Sequence, residues 1–165
     1  MNRSFTPLAL LAMLGCTGAV LAAEPAPNGL TLPEGYRDWR LISVSQRTDN
    51  NTLRAILGND VAISASRDGK TNPWPDGAIL GKLVWKNAKH EKWDTAIVPG
   101  GFVHAEFMVK DSRKYASTGG WGFGRWVGED QKPYGENADF VQECFGCHLP
   151  VKDNDYVFTH PVGLP

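Results

Sequence analysis

The sequence has little of several features that would assign a protein to a class at once. Its 165 residues include only three cysteines and three methionines, and the formal net charge is −1. Basic and acidic residues are mixed along the chain without a basic block, so nothing indicates binding to nucleic acid or to an anionic membrane surface. Internal repeats and coiled-coil heptads are also lacking. The length is that of one ordinary domain with a single core.

The N-terminal segment, residues 1–23, has the pattern of a secretory signal peptide. Arg3 gives it a positive start, and an apolar run over residues 8–22 ends in small residues. This run is too short for a convincing membrane span. Cys16 follows a glycine and could mark lipoprotein cleavage, but the apolar run continues past it. We therefore expect plain cleavage near Ala23, export to the periplasm and no stable membrane span.

The predicted fold is α+β, mainly an antiparallel β-sheet with a few short helices. Residues 24–34 are rich in Pro and Gly without periodicity and indicate a flexible leader, which leaves one domain over residues 35–165. Residues 78–86 and 102–110 are the clearest strands, and the second alternates between two faces. Residues 137–148 are predicted to form a C-terminal helix. Shorter elements are expected at 39–46 and 53–57, as strands or as a strand and a short helix, at 59–69 as a helix, and at 121–127 as a strand.

The C-terminal helix carries the motif C-x-x-C-H, formed by Cys144, Cys147 and His148, which is the pattern of c-type haem attachment. Cysteines three residues apart lie on one helical face, where both sulfurs can bond to haem vinyl groups while the adjacent His is aimed at the iron. A thioredoxin-type disulfide pair is one alternative, but such motifs occur early in a βα unit. A zinc site is another, but it needs more ligands, and the other histidines show no metal-ligand spacing. We expect one covalent haem c with His148 as an iron ligand.

The ligand on the other side of the iron decides the function. Electron-transfer cytochromes usually place a Met or His there. Met108 is the only methionine after the predicted signal peptide, and it lies upstream of the motif in a strand. An iron with an open site, which binds small molecules, is therefore favoured. The alternative is a six-coordinate electron-transfer cytochrome that uses one of the other histidines, His90, His104 or His160.

Six segments keep a distinctive order and spacing along the chain. They are GYRDW at 35–39, DG at 76–77 leading to KLVW at 82–85, FMVKDS at 107–112, GWGF at 120–123, CFGCH at 144–148 and VFT at 157–159. Together they resemble the cytochrome P-460 family, with its relative cytochrome c-prime-beta, over about residues 35–161. The resemblance implies an antiparallel sheet with a few helices, a homodimer, and a c-type haem whose proximal ligand is the motif histidine.

The resemblance also implies an activity and two further site residues. In the enzymes of the family a lysine is joined covalently to the haem ring, a distal carboxylate handles protons, and the open iron oxidises hydroxylamine towards nitrous oxide or nitric oxide. Lys82 and Glu106 are the matching candidates, and electrons would pass to a soluble cytochrome c. The alternatives are that Lys82 only extends into solvent, that Lys86 on the same strand face is the matching lysine, and that Glu106 lies on a solvated face.

Other members of this group are not enzymes. By the same resemblance, these relatives lack the lysine cross-link, line the distal face with phenylalanine and bind nitric oxide or carbon monoxide. This chain has candidates for such a lining in Phe102, Phe107 and Phe123. A gas-binding protein is therefore the alternative to the hydroxylamine-oxidising enzyme.

Overall fold

The computed structural model describes residues 23–163, so the predicted signal peptide lies outside the described residues except for Ala23. Six antiparallel strands form one sheet in the order of the sequence. They are β1 (Arg40–Arg47), β2 (Thr52–Gly58), β3 (Ile79–His90), β4 (Trp93–Lys110), β5 (Trp121–Val127) and β6 (Lys132–Pro133). Two α-helices, α1 (Asp60–Arg67) and α2 (Phe140–His148), and three short 3₁₀-helices (Tyr36–Asp38, Ala116–Thr118 and Leu149–Asn154) complete the fold. The predicted α+β class, mainly antiparallel sheet, is confirmed.

Both helices begin close to where the sequence places them. Helix α1 is capped by Asn59, whose side-chain oxygen accepts a hydrogen bond from the backbone N–H of Ala62 at 3.0 Å. Helix α2 begins three residues later than predicted, at Phe140, and ends on His148. Within residues 23–163 no helix is long and apolar enough to cross a membrane.

The sheet buries apolar side chains on both faces because strand residues alternate in direction. One face packs against α1 and α2, and its buried residues are Ile42, Ile56, Leu80, Trp121 and Phe123. The opposite face carries Ala105, Phe107 and Trp126. Helix α2 contributes to both clusters, because Phe140 is buried in the second one, whereas the His148 ring lies 5.4 Å from that of Phe123 on the first face.

The segment 24–34 packs against the second face, unlike the flexible leader predicted for it. Ala26 and Leu30 are buried there with Phe107 and Trp126. The indole N–H of Trp126 donates to the carbonyl of Glu24 at 2.9 Å. The segment is held by single anchoring side chains and hydrogen bonds, with no periodic pattern, so a sequence argument based on periodicity misses it.

Strands β3 and β4 are longer than predicted and form an extended hairpin. Strand β2 pairs with β3 up to Lys86, and β5 pairs with β4 from His104 onwards. Beyond these points β3 and β4 pair with each other as far as His90 and Trp93. Trp93 at the tip is exposed. The outer part of the hairpin lacks the polar and apolar alternation of a half-buried strand, so the sequence underestimates its length.

Gly119 packs against the ring of Tyr156, so a substitution there tests the packing around the turn at Asp155 and Tyr156. It has a φ of 68°, and a Cβ there would overlap the ring of Tyr156, with the Cζ of that ring 2.6 Å away. Gly69 has nearly the same φ, 67°, but open space around it. We expect Gly119→Ala to lower the free energy of unfolding by about 2–4 kcal/mol, from left-handed strain and overpacking together, and Gly69→Ala by roughly 1 kcal/mol from strain alone. Denaturant unfolding of the two variants measures this difference, and equal losses would contradict the packing described.

Candidate haem site

A cavity of about 840 Å³ borders the first face of the sheet, helix α2 and the C-terminal segment. Its lining includes Cys144, Cys147 and His148 of α2 together with Lys82 of β3 and Glu106 of β4. The structure thus brings all five predicted site residues to one cavity. Its apolar lining includes Ile56, Leu80, Met108, Phe123, Val157 and Phe158. The volume falls within the range of roughly 300–1,000 Å³ that is usual for small-molecule and cofactor sites.

The side chain of His148 makes a backbone hydrogen bond of the kind that metal-ligating histidines make through their second ring nitrogen. Its Nδ1 lies 2.6 Å from the carbonyl oxygen of Tyr156, so Nδ1 carries the proton and donates it to that oxygen. Burial lowers the pKa of His148, against a smaller opposite effect of this hydrogen bond, and keeps the ring neutral. The ring lies between Phe123 and Phe158, with centroid distances of 5.4 and 5.2 Å. Nε2 is left with a lone pair for a metal ion.

The two cysteines of α2 are free thiols. Cys144 is half-buried and Cys147 is exposed. Burial raises the pKa of the Cys144 thiol to about 11. Redox-active cysteine pairs have a lowered thiol pKa, so this environment does not favour the disulfide alternative. Among residues 23–163 no group of three or more His, Cys, Asp or Glu side chains is placed to hold a metal ion.

A row of side chains crosses the sheet at the level of Lys82. The strand register places Ile56, Lys82, Glu106 and Arg125 next to one another on β2, β3, β4 and β5. Lys82 forms an ion pair with Glu106, and the Nε of Arg125 donates to Glu106 Oε1 at 2.6 Å. The Nε2 of His104 lies 3.5 Å from the same oxygen. Glu106 is therefore the centre of a cluster of three basic side chains.

The environment of Glu106 makes it a carboxylate at ordinary pH. Burial alone would raise its pKa, because the side chain is only 18% exposed. The charges of Lys82 and Arg125 outweigh this effect and lower the pKa of Glu106 to about 2. The structure thus places Glu106 inside the cavity and not on a solvated face. Lys86, the alternative to Lys82, is exposed and pairs with Thr52 at the end of β2.

The side chain of Arg54 indicates that a group bound in the cavity carries a hydrogen-bond acceptor. Its Nε is buried and has no hydrogen-bond partner among residues 23–163, although Arg54 and Arg47 both line the cavity. A buried donor without an acceptor is costly, so an acceptor is expected to reach Arg54 from within the cavity. Haem carries two carboxylates that would serve. The cavity size, the neutral His148, the two cysteines and this donor therefore fit a haem group.

The sequence analysis did not identify Arg125 as a site residue, although the alternation of residues along β5 could have placed it on the cavity face. Arg125 and Phe123 are two residues apart on β5, so they lie on the same face of the sheet. Arg125 pairs with Glu106 on β4, which lies on that face too. Arg125 Nη1 also lies 3.7 Å from Glu143 on α2, and its guanidinium lies 4.4 Å from the ring centroid of Tyr134. It therefore links the carboxylate in the cavity to the haem-motif helix.

The remaining candidate ligands and phenylalanines are spread over the molecule. His160 and Met108 line the cavity, whereas His90 lies at the tip of the long hairpin and accepts the N–H of Lys92 at 3.1 Å. Phe123 borders the cavity, whereas the ring of Phe107 packs on the opposite face of the sheet against Trp126, with 5.8 Å between the centroids. The ring of Phe102 packs edge-on against Trp85, with 5.9 Å between the centroids, and Phe102 is not part of the lining.

A mainly antiparallel sheet with a C-x-x-C-H helix on the wall of a cofactor-sized cavity defines a haem-binding cytochrome unlike the helical-bundle type. The family model of cytochrome P460 matches residues 33–159, which is most of the chain. The protein belongs to the cytochrome P460 family, as its resemblance predicts, and members of this family bind haem c. A search of curated proteins found no match to the chain.

Proposed function

We propose that this protein is a periplasmic haem enzyme that oxidises hydroxylamine towards nitrous oxide or nitric oxide. One haem c is attached through Cys144 and Cys147, and His148 is its proximal ligand. The observation that carries the proposal is that one cavity contains both this motif and the Lys82–Glu106 pair. The family supports a haem protein that acts on nitrogen species. A soluble cytochrome c accepts the electrons, and the enzyme acts as a homodimer.

The proposed reaction releases protons and electrons together. Two hydroxylamine molecules yield one nitrous oxide, one water, four protons and four electrons, whereas one molecule yields nitric oxide with three protons and three electrons. Haem bound in this cavity would supply a redox-active iron that can bind the substrate and pass the electrons on to the partner cytochrome. The residues around the cavity have to remove the protons, because an unassisted substrate must lose them to water.

Glu106 is placed to receive these protons, and Lys82 controls how well it does so. With Lys82 and Arg125 both charged, the low pKa of Glu106 makes it a weak base. In the cross-linked state that the family resemblance implies, the Lys82 nitrogen belongs to the haem ring and is no longer an ammonium in this ion pair. The pKa of Glu106 would then rise, because one of its two main lowering influences is lost. The cross-link would thus strengthen the base, while Arg125 continues to hold the carboxylate in place.

His104 offers the next step for the proton. Its Nε2 lies 3.5 Å from Glu106 Oε1, close enough for transfer after a small movement or through one water molecule. Burial lowers the pKa of His104, despite the neighbouring carboxylate, so the ring is neutral and can accept a proton. The side chain is 23% exposed, which gives the proton a route to solvent.

Gas binding without turnover is the second candidate function. The ion pair between Lys82 and Glu106 favours it, because an ammonium has no lone pair with which to attack the haem ring. Phe123 also borders the cavity, as expected for a gas-binding relative, whereas the ring of Phe107 packs on the opposite face of the sheet. A six-coordinate electron carrier would instead need Met108 or His160 from the same lining as a second axial ligand.

The absorption spectrum of the purified ferric and ferrous protein, measured together with hydroxylamine-dependent reduction of an artificial electron acceptor, separates these functions. We expect a spectrum shifted from that of ordinary haem c, as a cross-linked ring requires, and turnover with hydroxylamine. An ordinary five-coordinate spectrum without turnover would replace the enzyme with the gas binder. A six-coordinate spectrum in both oxidation states would exclude both of them and leave the electron carrier.

A further inference from the structure

A buried ion pair lies outside the cavity and joins β4 to the turn at Asp155, directly after the 3₁₀-helix Leu149–Asn154. Lys110 Nζ donates to the two carboxylate oxygens of Asp155 at 2.7 and 2.8 Å, and the side chains are only 6% and 8% exposed. The same Nζ donates to the carbonyl of Gly119 at 3.3 Å and lies 4.8 Å from the ring centroid of Trp121. Neither member of the pair lines the cavity. The proposed reaction gives this pair no direct part.

A buried ion pair is weak evidence for stability as such. Desolvation of the two charges offsets much of their attraction, and apolar replacements of similar size are often neutral or stabilising. The clearer consequence of such a pair is that it fixes where its two partners lie. Lys110 is the last residue of β4, so the pair fixes Asp155 relative to the end of that strand.

Asp155 is held by more than its ion pair. Its Oδ2 accepts the backbone N–H of Trp74 at 2.8 Å, and its backbone carbonyl accepts the indole N–H of Trp121 at 2.8 Å. Asp155 and the next residue, Tyr156, have φ values of 48° and 63°. Two successive non-glycine residues in the left-handed region are unfavourable and persist where the surrounding contacts impose them. The contacts of Asp155 therefore impose the conformation of this turn.

The turn determines where the carbonyl of Tyr156 lies, and this carbonyl accepts the Nδ1–H of His148 at 2.6 Å. We propose that Lys110 and Asp155 are positioning residues that set the orientation and donor strength of His148. The proposal rests on the proposed function in one respect, namely that His148 is the proximal iron ligand. A strong bond from Nδ1–H makes the imidazole a better electron donor, which favours ferric over ferrous iron and lowers the reduction potential.

The test uses two charge-removing variants of the haem-loaded protein, Asp155→Asn and Lys110→Met. Their matched controls, Asp153→Asn and Lys152→Met, make the same changes of charge at exposed positions of the 3₁₀-helix that leads into this turn. Resonance Raman spectroscopy of the ferrous protein measures the iron–histidine stretching band, and a redox titration measures the potential. We expect both test variants to lower the band frequency and raise the potential, with turnover reduced about ten- to hundredfold. Both controls should match the wild type.

A third variant keeps the charges and acts on the same turn. Trp121→Phe removes the donor to the carbonyl of Asp155 and leaves the ion pair in place. We expect a smaller shift in the same direction. If Asp155→Asn does not fold, Trp121→Phe and Lys110→Met still test whether this turn positions His148.

The possible outcomes separate this inference from the proposed function. If the wild type shows the iron–histidine band and folded variants keep its frequency and the wild-type potential, the positioning role is wrong and the proposed function stands. If the wild type shows no such band, it lacks the five-coordinate iron bound by His148, and that part of the proposed function fails together with the inference.

Discussion

Replacing Cys144 and Cys147 together by alanine is expected to abolish covalent haem attachment. Each thioether needs one cysteine sulfur, and the only other cysteine, Cys16, lies in the predicted signal peptide. Expressed in a host with haem-maturation machinery, the wild type should keep its haem through acid–acetone extraction. The double variant should release any haem it contains. Covalent haem that survives extraction in the double variant would contradict the assignment of these residues.

Gly146→Ala is the matched control for this experiment. Gly146 lies between the two cysteines in α2, and a Cβ there would have no heavy atom within 4 Å. Alanine is also the better helix former, so α2 should be unharmed. We expect this variant to retain its covalent haem. The double variant should also unfold at a lower temperature than this control, because a bound group that the native state alone can hold stabilises it.

The sheet and the haem motif were accessible from the sequence because both depend on short-range patterns. Alternating polar and apolar residues predict β4 near Glu106, and this alternation also places Glu106 and Met108 on one strand face. The family resemblance then selects Lys82 on the neighbouring strand. The strand register, which pairs Lys82 directly with Glu106, is a tertiary feature that neither argument supplies.

The parts that the sequence did not predict depend on contacts between distant residues. The segment 24–34 packs through isolated anchors such as Leu30, and the carbonyl that accepts the His148 proton comes from Tyr156 by way of an irregular turn. A backbone acceptor leaves no mark in the residue types. The ion pair of Lys110 with Asp155 spans 45 positions of the chain, so spacing rules within one helix or strand cannot find it.

Removing the carboxylate of Glu106 is expected to have the second large effect, on the rate of hydroxylamine oxidation. Glu106→Gln keeps the size of the side chain and an oxygen that can accept from Arg125, but it cannot take up a proton as a base. Loss of a general base slows a proton-coupled step by roughly a hundredfold or more. We therefore expect turnover to fall by at least about a hundredfold. The absorption spectrum should remain that of the wild type, because Lys82 and the haem motif are unchanged.

Lys82→Ala should change the absorption spectrum, which Glu106→Gln leaves unchanged. This difference separates the role of Lys82 from that of Glu106. Without the Lys82 nitrogen no bond to the haem ring can form, so the spectrum should become that of ordinary haem c. Lys86→Ala is the control, because Lys86 lies on the same face of β3 but is exposed and stands outside the cavity lining. It should leave both spectrum and rate unchanged.

If an active wild type with a shifted spectrum were indifferent to Lys82→Ala and Glu106→Gln, the reacting site would have to lie on other residues. If Lys86→Ala restored the ordinary spectrum, the bonded lysine would be Lys86. The Lys82 ammonium would then stay in its ion pair, and Glu106 would keep its low pKa during turnover.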